Sequence, residues 1–300
     1  MNLLIKSAIA RTQRNFKVYI CHHVWMGNHA HLLVISRDAR ELATFYGELQ
    51  KRLTDYLKRL LGLSHLDLWE GDCSVIRIAD YEAAIERIAY FYANPARANL
   101  VNSIESYPGL SSYEAFNSAK DSLFAHRIER TVWVRCPAVP KLPSRTLTEG
   151  QDKRLADLLM QNAKKARFAT FPHLWLRCFG LSTPADVREA KELVRDQITS
   201  LEAAARAERD AAGLRTFGAK ILRRQPVLKD HIPKKYSRRI FVIARDKDVR
   251  LSYIRQVHEI CALCDECYRR WQRGDYNFIW PPGTFPPPYP MSANVLADAA

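Results

Sequence analysis

His29 and His31 stand two residues apart at the start of an apolar run, Leu32 to Ile35. Alternation along a strand sends both side chains to one face of a sheet, presenting two imidazole nitrogens to one place on a rigid element. That arrangement suits a divalent metal; taken alone, it suits two packing histidines as well. Tyr90 and Asn94 are four residues apart in a segment of helical periodicity, so they share a helix face about one turn apart. A tyrosine hydroxyl beside an amide oxygen offers a nucleophile and a ligand, or ordinary half-buried polar packing. Pro95 follows directly and is expected to bend or end that helix.

Residues 213–250 hold 12 Lys/Arg against 3 Asp/Glu, with Phe217, Tyr236 and Phe241 interleaved. Cations for phosphates and aromatics for base stacking are what single-stranded nucleic acid requires, while a solvated charged face is the plainer alternative. On the first reading Arg223, Arg224, Lys234, Lys235, Arg238 and Arg239 form a DNA grip. His258, Cys261, Cys264 and Cys267 recur every three residues, a spacing that drifts around a helix. Packed reduced thiols are therefore expected there ahead of a zinc or iron–sulfur site. His22 and His23 face opposite sides of their strand and read as structural. Tyr92 rivals Tyr90 as a nucleophile, but its neighbour four residues on is Ala96, which offers no ligand.

Positioning these groups requires a particular order of elements. Residues 4–14 read as a short helix, and 17–25 and 30–36 as strands of a hairpin turned at Gly27-Asn28. Asp38 with Glu41 resembles a capping box ahead of Leu42, Phe45, Leu49, Leu53, Tyr56, Leu57 and Leu60 at helical spacing. A third strand is expected over 73–78, and Asp80 caps a helix over about 81–93. This order describes an α+β sandwich with helices on one sheet face. Further along, Thr148 with Gln151 and Thr183-Pro184 with Asp186 mark two helix starts, and 240–244 reads as a short strand. A long helix is expected over 247–272, followed by an extended Pro-rich run over 280–290.

Three hundred residues, 47% of them hydrophobic, suffice for a substantial core and suggest two domains. The formal charge of +14 suggests a polyanionic partner, though the balance alone fits a membrane surface or simple solubility as well. Residues 1–118 carry 13 Lys/Arg against 12 Asp/Glu, and residues 119–300 carry 33 against 20, so the excess lies in the second part. No apolar run is long enough to span a membrane and the N-terminus lacks a secretory leader, so a cytoplasmic protein is expected. Seven cysteines, unevenly spread, do not suggest a disulfide framework.

Three stretches carry a resemblance. Trp25-Met26-Gly27-Asn28-His29-Ala30-His31-Leu32-Leu33-Val34 resembles the Met-Pro-Asn-His-Val-His-Leu-Leu signature of single-tyrosine HUH transposases, in particular the REP-associated tyrosine transposases. Tyr90-Phe91-Tyr92-Ala93-Asn94-Pro95-Ala96-Arg97-Ala98-Asn99-Leu100-Val101 resembles that family's Tyr-Ile-x-x-Asn-Pro-Val-Arg-Ala-x-Leu-Val. Tyr107-Pro108-Gly109-Leu110-Ser111-Ser112-Tyr113 resembles its Tyr-Pro-Trp-Ser-Ser-Tyr. Part of the first stretch also resembles the histidine-triad phosphoesterase motif, but Leu33 occupies the place of the third histidine.

The transposase resemblance implies that Tyr90 is the nucleophile, that His29, His31 and Asn94 hold Mg²⁺ or Mn²⁺, and that Arg97 lies at the DNA. It implies metal-dependent transesterification of hairpin-bearing single-stranded DNA through a 5′-phosphotyrosine link. A catalytically degenerate, domesticated hairpin-binding protein is the alternative. The family begins with a strand, whereas this chain starts at the following helix, so the sheet lacks an edge strand, the start is truncated, or another segment replaces it. Leu68-Trp69-Glu70-Gly71-Asp72 stands where the family has Leu-Trp-x-x-Arg, an acid in place of a base. The expected fold is a ferredoxin-like HUH domain over 1–118, an antiparallel sheet with helices on one face, followed over 119–300 by a basic, mainly helical extension with a Pro-rich tail. The expected partner is single-stranded or hairpin DNA, with no membrane, and a homodimer is left open.

Overall fold

Apolar and aromatic residues from Tyr19 to Trp25 form β1, which pairs antiparallel with β2 (Ala30–Ile35), Trp25 opposite Ala30. Met26 N–H donates to His29 O at 2.7 Å and closes the turn at Gly27-Asn28, the hairpin expected from the sequence. The computed structural model describes residues 1–70, 73–134, 157, 159–161, 163–225, 240–284 and 286–288. A bulge between Ile20 and His22 breaks the simple alternation of β1. Ile20, His23 and Trp25 consequently face one side, and Cys21, His22 and Val24 the other.

The far edge of β1 is covered in two parts. Ile20 pairs in parallel with Thr170 of a strand spanning Lys164–Thr170, which in turn pairs antiparallel with one spanning Arg127–Trp133. Nearer the hairpin turn, Trp25 N–H donates to Leu110 O and Ser112 N–H to His23 O, both at 2.9 Å. Residues 77–78 and 242–243 form a separate parallel pair. In chain order these strands are β3 (Arg77–Ile78), β4 (Arg127–Trp133), β5 (Lys164–Thr170) and β6 (Val242–Ile243), and the main sheet runs β2-β1-β5-β4. The expected antiparallel sheet is therefore corrected to a mixed one, because β5 returns alongside β1 after a long excursion. The strand expected over 73–78 shrinks to two residues and does not join the main sheet.

Helices cover both faces, which corrects the expectation of one. α1 (Asn2–Gln13) and α2 (Ala39–Leu60) pack over Ile20, Trp25, Leu32, Val34 and Phe168. α3 (Tyr81–Arg97) and α4 (Tyr113–Ser118) pack over Cys21, Val24, Leu33 and Ile35. Both faces need cover because the central hairpin presents apolar side chains to each. Asp38 caps α2 by accepting from Arg40 N–H at 2.8 Å, worth about 1 kcal/mol. Glu41 does not complete a capping box; its carboxylate accepts from Lys17 N–H at 2.6 Å and ties the helix start to the strand entry.

α5 (Pro184–Ala211) lies along α3, sharing Val187, Ala190, Val194 and Ile198 with the same core. Thr183 and Asp186 form the expected reciprocal capping box. The main sheet and the α3–α5 pairing tie the residues on either side of 118 together within one unit, Met1–Arg245. A second unit, Asp246–Ala300, holds the expected long helix, which is α7 (Lys247–Gln272) after the short α6 (Gly218–Leu222). Arg270 pairs with Asp275 at 2.7 Å just beyond its end. The helix start expected at Thr148 lies outside the described residues.

Candidate functional site

His31 belongs to β2 and His29 precedes it at the mouth of the hairpin. The strand alternation turns His31 toward α3, where its ring stacks on Phe91 with centroids 4.9 Å apart and planes within 8°. Asn94 comes up from α3 between the two histidines. Its side-chain amide nitrogen donates to His31 Nε2 at 2.9 Å and lies 3.1 Å from His29 Nε2. Both imidazole lone pairs are thereby aimed at one point, and the ring centroids are 4.9 Å apart. Turned about its Cβ–Cγ bond, the same amide presents Oδ1 to that point.

Protonation states suit ligation. Burial, with His29 and Arg87 nearby, lowers the His31 pKa to about 4, so its imidazole is neutral at physiological pH. His29 Nδ1 lies 2.8 Å from Asn28 Oδ1, an acceptor, which assigns the ring proton to Nδ1 and turns the Nε2 lone pair toward Asn94. Two neutral imidazoles and one amide oxygen fit a divalent cation without selecting Mg²⁺ or Mn²⁺ over zinc. Among the described residues, no group of three or more His, Cys, Asp or Glu side chains gathers for a metal, the His258–Cys267 row included.

Tyr90 lies one turn before Asn94, half-buried, its ring 5.6 Å from that of His31. Two guanidiniums flank it: Arg97 Cζ is 4.9 Å and Arg87 Cζ 5.3 Å from the ring centroid. Arg87 is absent from the sequence expectations. Its signal was available, since residues 87, 90 and 94 follow helical spacing on one face. Tyr92 is different. It is fully buried, its hydroxyl is 2.7 Å from His22 Nδ1 and 2.9 Å from Ser112 Oγ, and burial raises its pKa. That hydroxyl braces α3 against β1 and is closed to a substrate.

α3 does not stop before Pro95, as the sequence suggested, but runs on to Arg97. Its end is held from several sides. Asn99 takes φ +56°, and Leu100 N–H donates to Pro95 O at 3.0 Å. Arg209 of α5 is 4% exposed and donates to Asn102 Oδ1 at 2.8 Å, with Asn99 Oδ1 at 3.4 Å and Ala96 O at 3.5 Å. A buried cation at a helix C-terminus also complements the helix dipole.

The third motif stretch braces the hairpin. Tyr107 donates its hydroxyl hydrogen to Trp25 O at 2.8 Å, and its ring occupies the space a Cβ at Gly109 would need. Arg223 and Arg224 are exposed just after α6, which is tethered by Phe217 N–H to Asn99 O at 3.0 Å and Gly218 N–H to Leu100 O at 2.9 Å. The structure thus joins Arg97 to the four-residue cluster and sets Arg223 and Arg224 on a segment anchored just past the end of α3. Lys234, Lys235, Arg238, Arg239 and Asp72 lie outside the described residues. No described helix is long and apolar enough to cross a membrane. Compared with family models, curated proteins and solved structures, the chain matches none of them.

Proposed function

We propose that this protein cleaves and rejoins single-stranded DNA through Tyr90, with His29, His31 and Asn94 holding Mg²⁺ or Mn²⁺. One observation carries the reading: both imidazole Nε2 atoms converge on Asn94, one helical turn from the Tyr90 ring. The bound cation would supply charge neutralisation at a phosphate oxygen.

The protein's own groups supply the rest. Tyr90 is partly exposed, and its hydroxyl oxygen forms the bond to phosphorus as the bond from phosphorus to the 3′ oxygen breaks. The phenolic proton is lost to solvent and the leaving 3′ oxygen takes one up. The product is a 5′-phosphotyrosine and a free 3′-hydroxyl, and attack by another 3′-hydroxyl reverses the step. Arg87 and Arg97 flank the tyrosine with positive charge, where a phosphodiester would otherwise repel a developing phenolate. Phe91, stacked on His31, holds that ring in orientation.

The test is an adduct assay with hairpin-bearing single-stranded DNA from the neighbourhood of the gene, with Mn²⁺ or with chelator. A denaturation-resistant protein–DNA band is expected with Mn²⁺ alone. Tyr90→Phe should abolish it while leaving hairpin binding intact; an adduct that survives in this variant rejects the assignment. His29→Ala should remove the metal-dependent adduct. Hairpin binding without any adduct in the unaltered protein would favour a degenerate, non-catalytic binder.

A further inference from the structure

The β4–β5 ribbon carries charge in an unusual way. In its antiparallel register Arg130 stands directly opposite Arg167, and Lys165 follows two residues from Arg167 on the same face. All three are exposed. Like charges placed directly across a ladder cost stability. Two other charges on the same ribbon are neutralised: Glu129 pairs with Lys6 of α1 at 2.7 Å, and Arg127 with Glu114 at 2.8 Å. Among the described residues, neither Arg130 nor Arg167 has an ion-pair partner.

The ribbon is also held rigidly. Gln13 of α1 pairs with β5 as a strand would, its amide nitrogen donating to Ala169 O at 2.8 Å and its oxygen accepting from Ala169 N–H at 2.7 Å. Glu129 and Phe168 mark the α1 side of the ribbon, so Arg130 and Arg167 lie on the opposite face, the one toward which β2 turns His31. Thr170 is level with Ile20, and His31 with Val24. Arg167 and His31 are therefore separated by about six or seven residues along the strand direction, roughly 20 Å.

We propose that this outer face of β4–β5 binds the phosphate backbone of a DNA duplex, as a contact separate from the Tyr90 site. Two opposed guanidiniums with a lysine alongside fit a row of phosphates, and a polyanion relieves the repulsion that the free ribbon bears. The separation from His31 corresponds to about six base pairs of a hairpin stem. A stem resting on the ribbon would direct its single-stranded flank toward Tyr90. The ligand class rests on the DNA reading above; the chemistry at Tyr90 does not enter.

The test uses the full chain, a DNA hairpin with a 20-base-pair stem and no divalent cation, with affinity measured from 50 to 200 mM KCl. Arg130→Gln/Arg167→Gln should make the dependence of log affinity on log salt shallower by about 1.8. Across that range the unaltered protein should then lose about tenfold more affinity than the variant. Arg130→Lys/Arg167→Lys should restore the slope, and the glutamine variant should melt no lower than the unaltered protein. Equal slopes overturn the proposal, as does an unaltered protein that shows no salt-dependent duplex binding. Adduct formation on a short strand lacking any stem reads Tyr90 separately. It should be unchanged in the glutamine variant, and its loss there would overturn the separation of the two contacts.

Discussion

Asn28 Oδ1 and His29 Nδ1 lie 2.8 Å apart, so a residue of the hairpin turn sets the tautomer of a histidine whose other nitrogen faces Asn94. Asn28 is thus a positioning residue, acting on the candidate metal site through the ring. Asn28→Ala should weaken Mn²⁺ binding about 10- to 100-fold. Far-UV circular dichroism should be unchanged, because Asn28 is exposed in the turn. Titration calorimetry would check this, and Asn28→Asp, which keeps the acceptor, should recover most of the affinity. Equal affinities across the three proteins would remove the turn from the site.

Arg209 makes its contacts from within the α3–α5 packing, and among the described residues it has no ion-pair partner. Arg209→Leu leaves the carboxamide oxygens of Asn99 and Asn102 without this donor, which should cost about 1–3 kcal/mol. Urea unfolding would register this as a lower midpoint at unchanged slope. A midpoint equal to that of the unaltered protein would show that the guanidinium only fills space.

His23 and His173 are buried, on opposite sides of the sheet core, and desolvation is the main cause of their lowered pKa values, about 3 and about 4. In the unfolded chain each takes up a proton near pH 6.5. Between those values the unfolded state binds more protons, so stability is fully present above pH 6.5 and is lost as pH falls toward 4. Each histidine should contribute up to about 1.4 kcal/mol per pH unit across that window. Thermal melts from pH 7 to pH 4 would show the fall, and it should be shallower in His23→Gln.

What could be read from the sequence divides along physical lines. His29 with His31, and Tyr90 with Asn94, are related by strand and helix periods, so their shared faces are local properties. The capping box at Thr183 is local too, and it forms. Arg87 obeys the same helical period but lies outside the motif, so nothing beyond that period marks it. The second partner of β1 was not legible, since nothing near Tyr19–Trp25 specifies β5, a strand more than a hundred residues later. The reach of α3 through Pro95 is likewise supported by tertiary neighbours, Arg209 among them.

The parallel contact between Ile20 and Thr170 has a consequence for how the protein is made. At translation rates of about 5–20 residues per second, β5 follows β1 out of the ribosome by roughly 7–30 s. Through that interval the hairpin bearing His29 and His31 has the Ile20 end of β1 unpaired as well as the outer edge of β2, a template for pairing with other nascent chains. Production of residues 1–118 alone would make this waiting state permanent. Aggregation of such a fragment should accordingly be read as a missing sheet neighbour, not as a defect of the histidine hairpin.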